Sequence, residues 1–215
     1  MTKRTRRALT GIVLVVTALS PVTLLASPAS AFPKGDPVYS FKYKVVATTF
    51  IKRSNMTMTA PPGVFEGGID LGTGQLKGSI TIPDTTFTQS EAGVGLVTVT
   101  AAVEPIKPVT GHVNIGNFHV TSTSVFNIHI KSMYPATPKV PLPVPLPKVN
   151  LVGDSCMTRY PVTVTISGTA NLGAPSTLKG TFLIPLLQNC GAMTSVLNQE
   201  IPGPGNTFSA TATPM

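Results

Sequence analysis

From Phe118 to Lys131 the side chains alternate. Phe118, Val120, Phe126, Ile128 and Ile130 hold even positions, while His119, Thr121, Thr123, Asn127 and His129 hold odd ones. A helix would scatter both sets around its axis, whereas a strand separates them onto opposite faces. The stretch therefore reads as a β-strand with one face in a core and one in water. Most of the chain repeats this pattern, so the fold is expected to be all-β.

Phe41 to Ile51 places Phe41, Tyr43, Val45, Ala47 and Ile51 on one side, and Lys42, Lys44 and Thr48 on the other. Met56 to Ala60 predicts a short strand, stopped by Pro61-Pro62-Gly63. Phe65 to Leu71 and Leu76 to Ile82 form a hairpin around Gly72-Thr73-Gly74. A short edge piece is expected at Thr85–Gln89, followed by a strand from Val97 to Val103. Val109 to Ile115 runs into a two-residue turn at Gly116-Asn117, which sets His119 opposite Asn114. The returning arm is the longer one, so its far end must pair elsewhere, bridging two sheets or curling around a barrel. Later strands are expected at Val162–Ala170, Leu178–Ile184 and Phe208–Ala212, with the single helix candidate at Ala192–Glu200.

Two segments break the pattern. Between 135 and 148 proline recurs at 135, 138, 141, 143, 145 and 147, with Val140, Leu142, Val144 and Leu146 interleaved. This reads as an extended crossover, either tucked against the body by its aliphatic side chains or presented as a docking peptide. Leu76-Lys77-Gly78-Ser79-Ile80-Thr81-Ile82-Pro83 echoes Leu178-Lys179-Gly180-Thr181-Phe182-Leu183-Ile184-Pro185, as if one hairpin were used twice on facing sheets.

The first 31 residues are read as a cleaved signal peptide. Lys3, Arg4, Arg6 and Arg7 precede a mostly apolar run, and Ala29-Ser30-Ala31 places the cut between Ala31 and Phe32. Of 16 Lys and Arg, four lie in this region, leaving 12 against 8 acids, or about +4. That charge is dispersed, which argues against nucleic acid as a partner. No later stretch is apolar and long enough for a transmembrane helix. Residues 32–215 are expected to form one β-rich domain, with a split at the proline tract as the alternative. Cys156 and Cys190 are the only cysteines, and export predicts that they form a disulfide.

The search for chemistry yields no catalytic, cofactor-binding or metal-binding residues. Gly153-Asp154-Ser155 matches a lipase-type triplet, but every histidine precedes it and Cys156 adjoins it. No Gly-x-Ser-x-Gly elbow occurs. Asp70-Leu71-Gly72-Thr73-Gly74 is read as a turn, and Glu66 and Asp70 as two solvent-facing acids. His119 and His129 are too far apart on one strand to share a metal, and His112 does not oppose His119.

The Asn-Leu-Val-Gly-Asp-Ser-Cys run at 150–156 and the Ile-Pro-Gly-Pro-Gly-Asn-Thr-Phe run at 201–208, together with the signal and the Thr/Val/Gly strands, resemble small secreted β-rich proteins of actinobacteria. The resemblance covers most of residues 32 to 213. It implies an exported, disulfide-bearing β fold and carries no chemistry over.

The expected architecture is an antiparallel β-sandwich or partly open β-barrel of about nine to eleven strands. The expected role is non-catalytic, in the medium or at the cell wall. The first candidate is binding of a hydrophobic or lipid-like ligand between the sheets. The second is a structural or adhesive protein whose Thr-rich faces meet wall polymers or copies of itself, and the third is a hydrolase. An empty barrel mouth favours the first, and a filled core argues against it.

Overall fold

The structure is a computed structural model and describes residues 38–91, 95–136, 149–171 and 173–215. The signal segment, the Ala31/Phe32 cleavage point and residues 137–148 of the proline tract lie outside the described residues.

Alternation along each strand becomes a closed ring of eight. In chain order these are β1 (Val38–Ile51), β3 (Gly63–Asp70), β4 (Gln75–Thr81), β7 (Val109–Asn114), β8 (His119–Pro135), β10 (Val162–Thr169), β11 (Ser176–Ile184) and β13 (Gly203–Pro214). Each pairs antiparallel with the next, and β13 closes on β1 from Tyr43↔Pro214 to Phe50↔Thr207. The architecture is therefore an up-and-down barrel, which leaves no open edge in the ring. Five further strands bring the described total to thirteen. They are β2 (Met56–Thr59), β5 (Thr85–Glu91), β6 (Gly95–Pro105), β9 (Cys156–Thr158) and β12 (Leu187–Gln188).

Successive connections in such a meander alternate between the two ends. At one end they are short: β3 to β4, β7 to β8 and β10 to β11, beside the start of β1 and the end of β13. At the other end they carry β2, the β5–β6 hairpin, β9, β12, the 3-10 turn Gly191–Met193 and α1 (Thr194–Glu200). Among the described residues, one end of the barrel is thus capped and the other is bounded only by turns.

The long arm Phe118–Lys131 shows how the cap is joined. Residues 119–126 of β8 pair with β10, and 126–135 continue beyond the ring to pair with β6. A bulge at Lys131 falls between the pairs Ala101↔Ile130 and Thr100↔Ser132. It shifts the alternation by one residue, so Ile130 and Met133 are both buried. Asn150 Oδ1 accepts from Met133 N at 3.0 Å beside this bulge. The cap core gathers Val97, Val99, Met133, Leu187 and Leu197 around the Cys156–Cys190 disulfide. Asn198 docks α1 by accepting from Leu187 N at 2.7 Å and donating to Leu187 O at 2.9 Å.

His119 pairs with Asn114 as the Gly116-Asn117 turn predicts, but strand pairing stops there without an Ile115–Phe118 pair, so the loop holds four residues instead of two. Asn114 Oδ1 accepts from Gly116 N, Asn117 Oδ1 accepts from His119 N, and Phe118 sits at φ 55. These side-chain bonds stabilise the wider loop over the two-residue turn.

Inward-facing glycines mark where strands approach most closely. A Cβ on Gly67 would meet the Lys77 carbonyl oxygen at 2.5 Å, and one on Gly180 would overlap the Thr165 carbonyl oxygen. Glycine is needed there for lack of room, as at tight bends in curved sheets. This also explains the internal echo. Gly78 and Gly180 occupy equivalent inward positions in the β3–β4 and β10–β11 hairpins, and these hairpins lie diametrically opposite in the ring.

Candidate functional site

The inward face of the ring encloses an apolar cavity of about 430 Å³. Its walls are the alternating sets read from the sequence, including Phe118, Val120, Phe126, Ile128 and Ile130 of the longest arm. Glycine and alanine at inward positions leave the space that larger side chains would fill. The outer wall carries threonine and lysine. This polarity is the inverse of a membrane-spanning barrel, whose outside is apolar. Among the described residues no helix is long and apolar enough to cross a membrane.

One side of the cavity is aromatic. Tyr39, Phe41 and Tyr43 stand at successive inward positions of β1, with Phe41 5.4 Å from Tyr43 and 5.5 Å from Phe65 between ring centroids. Hydroxyl-bearing Ser122 and Ser124 face the cavity from β8. Among its described lining residues the only ionisable side chains are Tyr39 and Tyr43.

Burial pushes the Tyr43 hydroxyl above the usual tyrosine range, and neighbouring Tyr39 adds to the shift. The fold therefore favours the neutral phenol. An unfolded tyrosine titrates near 10. The stabilisation is complete below that pH and is lost as pH rises through the higher folded value. Urea unfolding across this alkaline range should show stability falling less steeply in Tyr43→Phe than in the native chain. Identical slopes would contradict the assignment.

The remaining candidate residues fall outside this cavity. His129 Nδ1 lies 2.8 Å from Glu104 Oε1, and its Nε2 lies 3.2 Å from the Asp154 carbonyl oxygen. The imidazole is thus directed at a backbone oxygen rather than a serine hydroxyl, and it ties β6 and β8 to the segment before Cys156. The Gly153-Asp154-Ser155 triplet acts here as part of the cap. His112 pairs across from Thr121 and His119 from Asn114, so the two do not oppose each other, and His129 lies in the half of β8 that pairs with β6. No cluster of three or more metal-ligating side chains occurs among the described residues.

Asp70 departs from expectation. Glu66 is exposed and pairs with Lys42, but Asp70 is buried. Its Oδ1 turns back to accept from Gly72 N at 2.8 Å and Thr73 N at 3.0 Å. An Asx-type turn overrides strand alternation here, with one carboxylate oxygen serving two amides of the turn.

Asn206 is the polar residue whose structural part the sequence concealed. It is 1% exposed, accepts from Lys52 N at 3.0 Å, and donates to Gly203 O at 2.8 Å and Phe182 O at 3.3 Å. With Asn150, it gives the two runs singled out in the sequence a structural purpose: both asparagines satisfy backbone groups where pairing is irregular.

On the outer wall, Thr110, Thr123, Thr165, Thr181 and Thr207 stand in direct register on five neighbouring strands. Thr123 and Thr165 hydroxyls lie 3.2 Å apart.

No family model matches the sequence, and no curated protein matches it. Among solved structures, DynF from the dynemicin biosynthesis pathway of Micromonospora chersina is similar over 98% of this chain and 93% of its own, at 13% identity and a TM-score of 0.32. A likeness at that level carries no argument about function.

Proposed function

We propose that this is a non-catalytic exported or envelope-associated protein that binds a hydrophobic, lipid-like molecule inside its barrel. The observation that carries the proposal is the apolar cavity of about 430 Å³, which falls within the size range of small-molecule pockets. Its lining favours an aliphatic or aromatic body with few polar groups, and the Tyr39 and Tyr43 hydroxyls offer hydrogen bonds to such a group. The described lining holds none of the charged side chains that acid–base chemistry uses in a cleft, so it lends no support to a hydrolase reading. Export is supported by the basic and apolar leader and by the disulfide, which suits an oxidising compartment.

A fluorescent long-chain fatty acid tests this reading. Saturable binding is expected, with one probe per chain. Ser124→Phe and Ala212→Phe each add bulk at a small cavity-lining position on a different strand. At least one should fold and bind about tenfold more weakly, equivalent to about 1.4 kcal/mol. An absence of saturable binding, or undiminished binding to folded variants of both kinds, would reject the proposal.

The threonine belt favours a second reading, adhesion to wall polymers or to copies of the chain. Cross-strand threonine pairs also stabilise antiparallel sheets without any partner. Retention on purified cell wall that is lost with Thr165→Val and Thr181→Val would favour adhesion over ligand carriage.

A further inference from the structure

We infer that the turn-bounded end of the barrel docks on an anionic phospholipid bilayer, so that the cavity mouth opens towards lipid. The inference deepens the ligand-binding reading by naming the surface from which a lipid-like molecule would enter, and it rests on that reading for its purpose.

Tyr39, Leu71, Ile115 and Phe118 are 46%, 46%, 41% and 37% exposed, yet all four also line the cavity. They come from the start of β1, the β3–β4 turn and the β7–β8 turn, so the exposed apolar side chains border the entrance along several successive strands. Val38 and Met215, at the same end, are exposed as well. The apolar lining therefore continues out onto the rim instead of ending beneath a polar collar. Aromatic and aliphatic side chains arranged this way suit the boundary between headgroups and acyl chains.

Charge supplies the second argument and selects the lipid. Among the described residues, the mouth half carries Lys42, Lys44, Lys77 and Lys179 against Glu66 and Asp70, a balance of +2. Among the side chains described, the elements of the capped end carry Lys52, Arg53, Lys107, Lys131 and Arg159 against Asp84, Glu104, Asp154 and Glu200, a balance of +1. The mouth half is thus net cationic, and its lysines face anionic headgroups when the rim meets a bilayer. A second copy of the chain would oppose one cationic rim to another, which disfavours it as the occupant.

The ring, its core clusters and the disulfide lie wholly within residues 38–215, so the chain from Phe32 serves as the test protein without the apolar leader. It should float with vesicles of mixed phosphatidylcholine and phosphatidylglycerol, less with phosphatidylcholine alone, and less again as salt rises. Lys77→Glu with Lys179→Glu changes the outer wall near the mouth. This pair should weaken flotation with the anionic vesicles by at least about tenfold while fatty-acid probe uptake in solution stays unchanged. Leu71→Ser with Ile115→Ser should weaken flotation on both vesicle types, with melting temperature as the check on folding. Equal flotation of folded variants and native chain, or none by the native chain, overturns the docking inference. A native dimer that dissociates on changing the rim pair, without vesicle binding, overturns it in favour of self-association. Probe uptake without flotation rejects docking alone, whereas flotation without probe uptake rejects the ligand reading alone.

Discussion

Gly180→Val should destabilise the barrel by about 3 kcal/mol or more, because it forces atoms into a space held by backbone. Gly180 pairs with Ile166 between β10 and β11. A Cβ there would overlap the Thr165 carbonyl oxygen and stand 3.0 Å from Ile166 Cγ2. The carbonyl belongs to a strand paired on both sides, with β8 and β11, so it cannot move aside without disturbing the ring. Valine would also project into the cavity wall. Denaturant unfolding measures the loss directly. Gly116→Ala is the control: its Cβ would meet only Asn114 Oδ1 at 3.3 Å, and a cost below about 1 kcal/mol is expected. Similar unfolding midpoints for both variants would show that the inward glycine does not set the close approach of β10 and β11.

Removing the disulfide through Cys156→Ala with Cys190→Ala should have a comparable effect through a different cause. The bond closes a sequence separation of 34 residues, which the chain-entropy model values at about 3–4 kcal/mol. Both cysteines are fully buried in the cap core, so truncation also removes packing against Val152 and Leu187. A fall of roughly 10 °C in melting temperature is expected for a chain of this size. The damage should begin in the cap. Hydrogen exchange should accelerate first in β9, β12 and α1, because the eight ring strands pair without help from the disulfide. Unchanged melting under full reduction, or first exchange in the β3–β4 hairpin, would contradict this division between ring and cap.

Strand alternation made the ring legible because inward and outward sets are fixed by local sequence. The even positions from Phe118 to Ile130 line the cavity as expected. The arm's excess length did require other partners, and β6 and β9 provide them. The expected disulfide is present, and the antiparallel β fold closes as a barrel. What alternation does not contain is long-range order. Glu104 meets His129 only because the extended half of β8 pairs with β6, and neither residue signals that pairing. The bulge at Lys131 changes the face of Met133 without a glycine or proline to announce it. Asp70 follows the amides of its turn rather than strand parity. The division into a capped and an open end was equally hidden. It appears only once the eight strands are in ring order and their connections can be assigned alternately to the two ends.

Native mass spectrometry of the protein from its own host tests ligand carriage most directly. The account predicts a folded species heavier than the processed chain by the mass of a small apolar molecule, lost on extraction with organic solvent. Ser124→Phe or Ala212→Phe should carry less of it. A folded native protein that repeatedly shows only the chain mass, and takes up no long-chain fatty acid when challenged, would contradict the account.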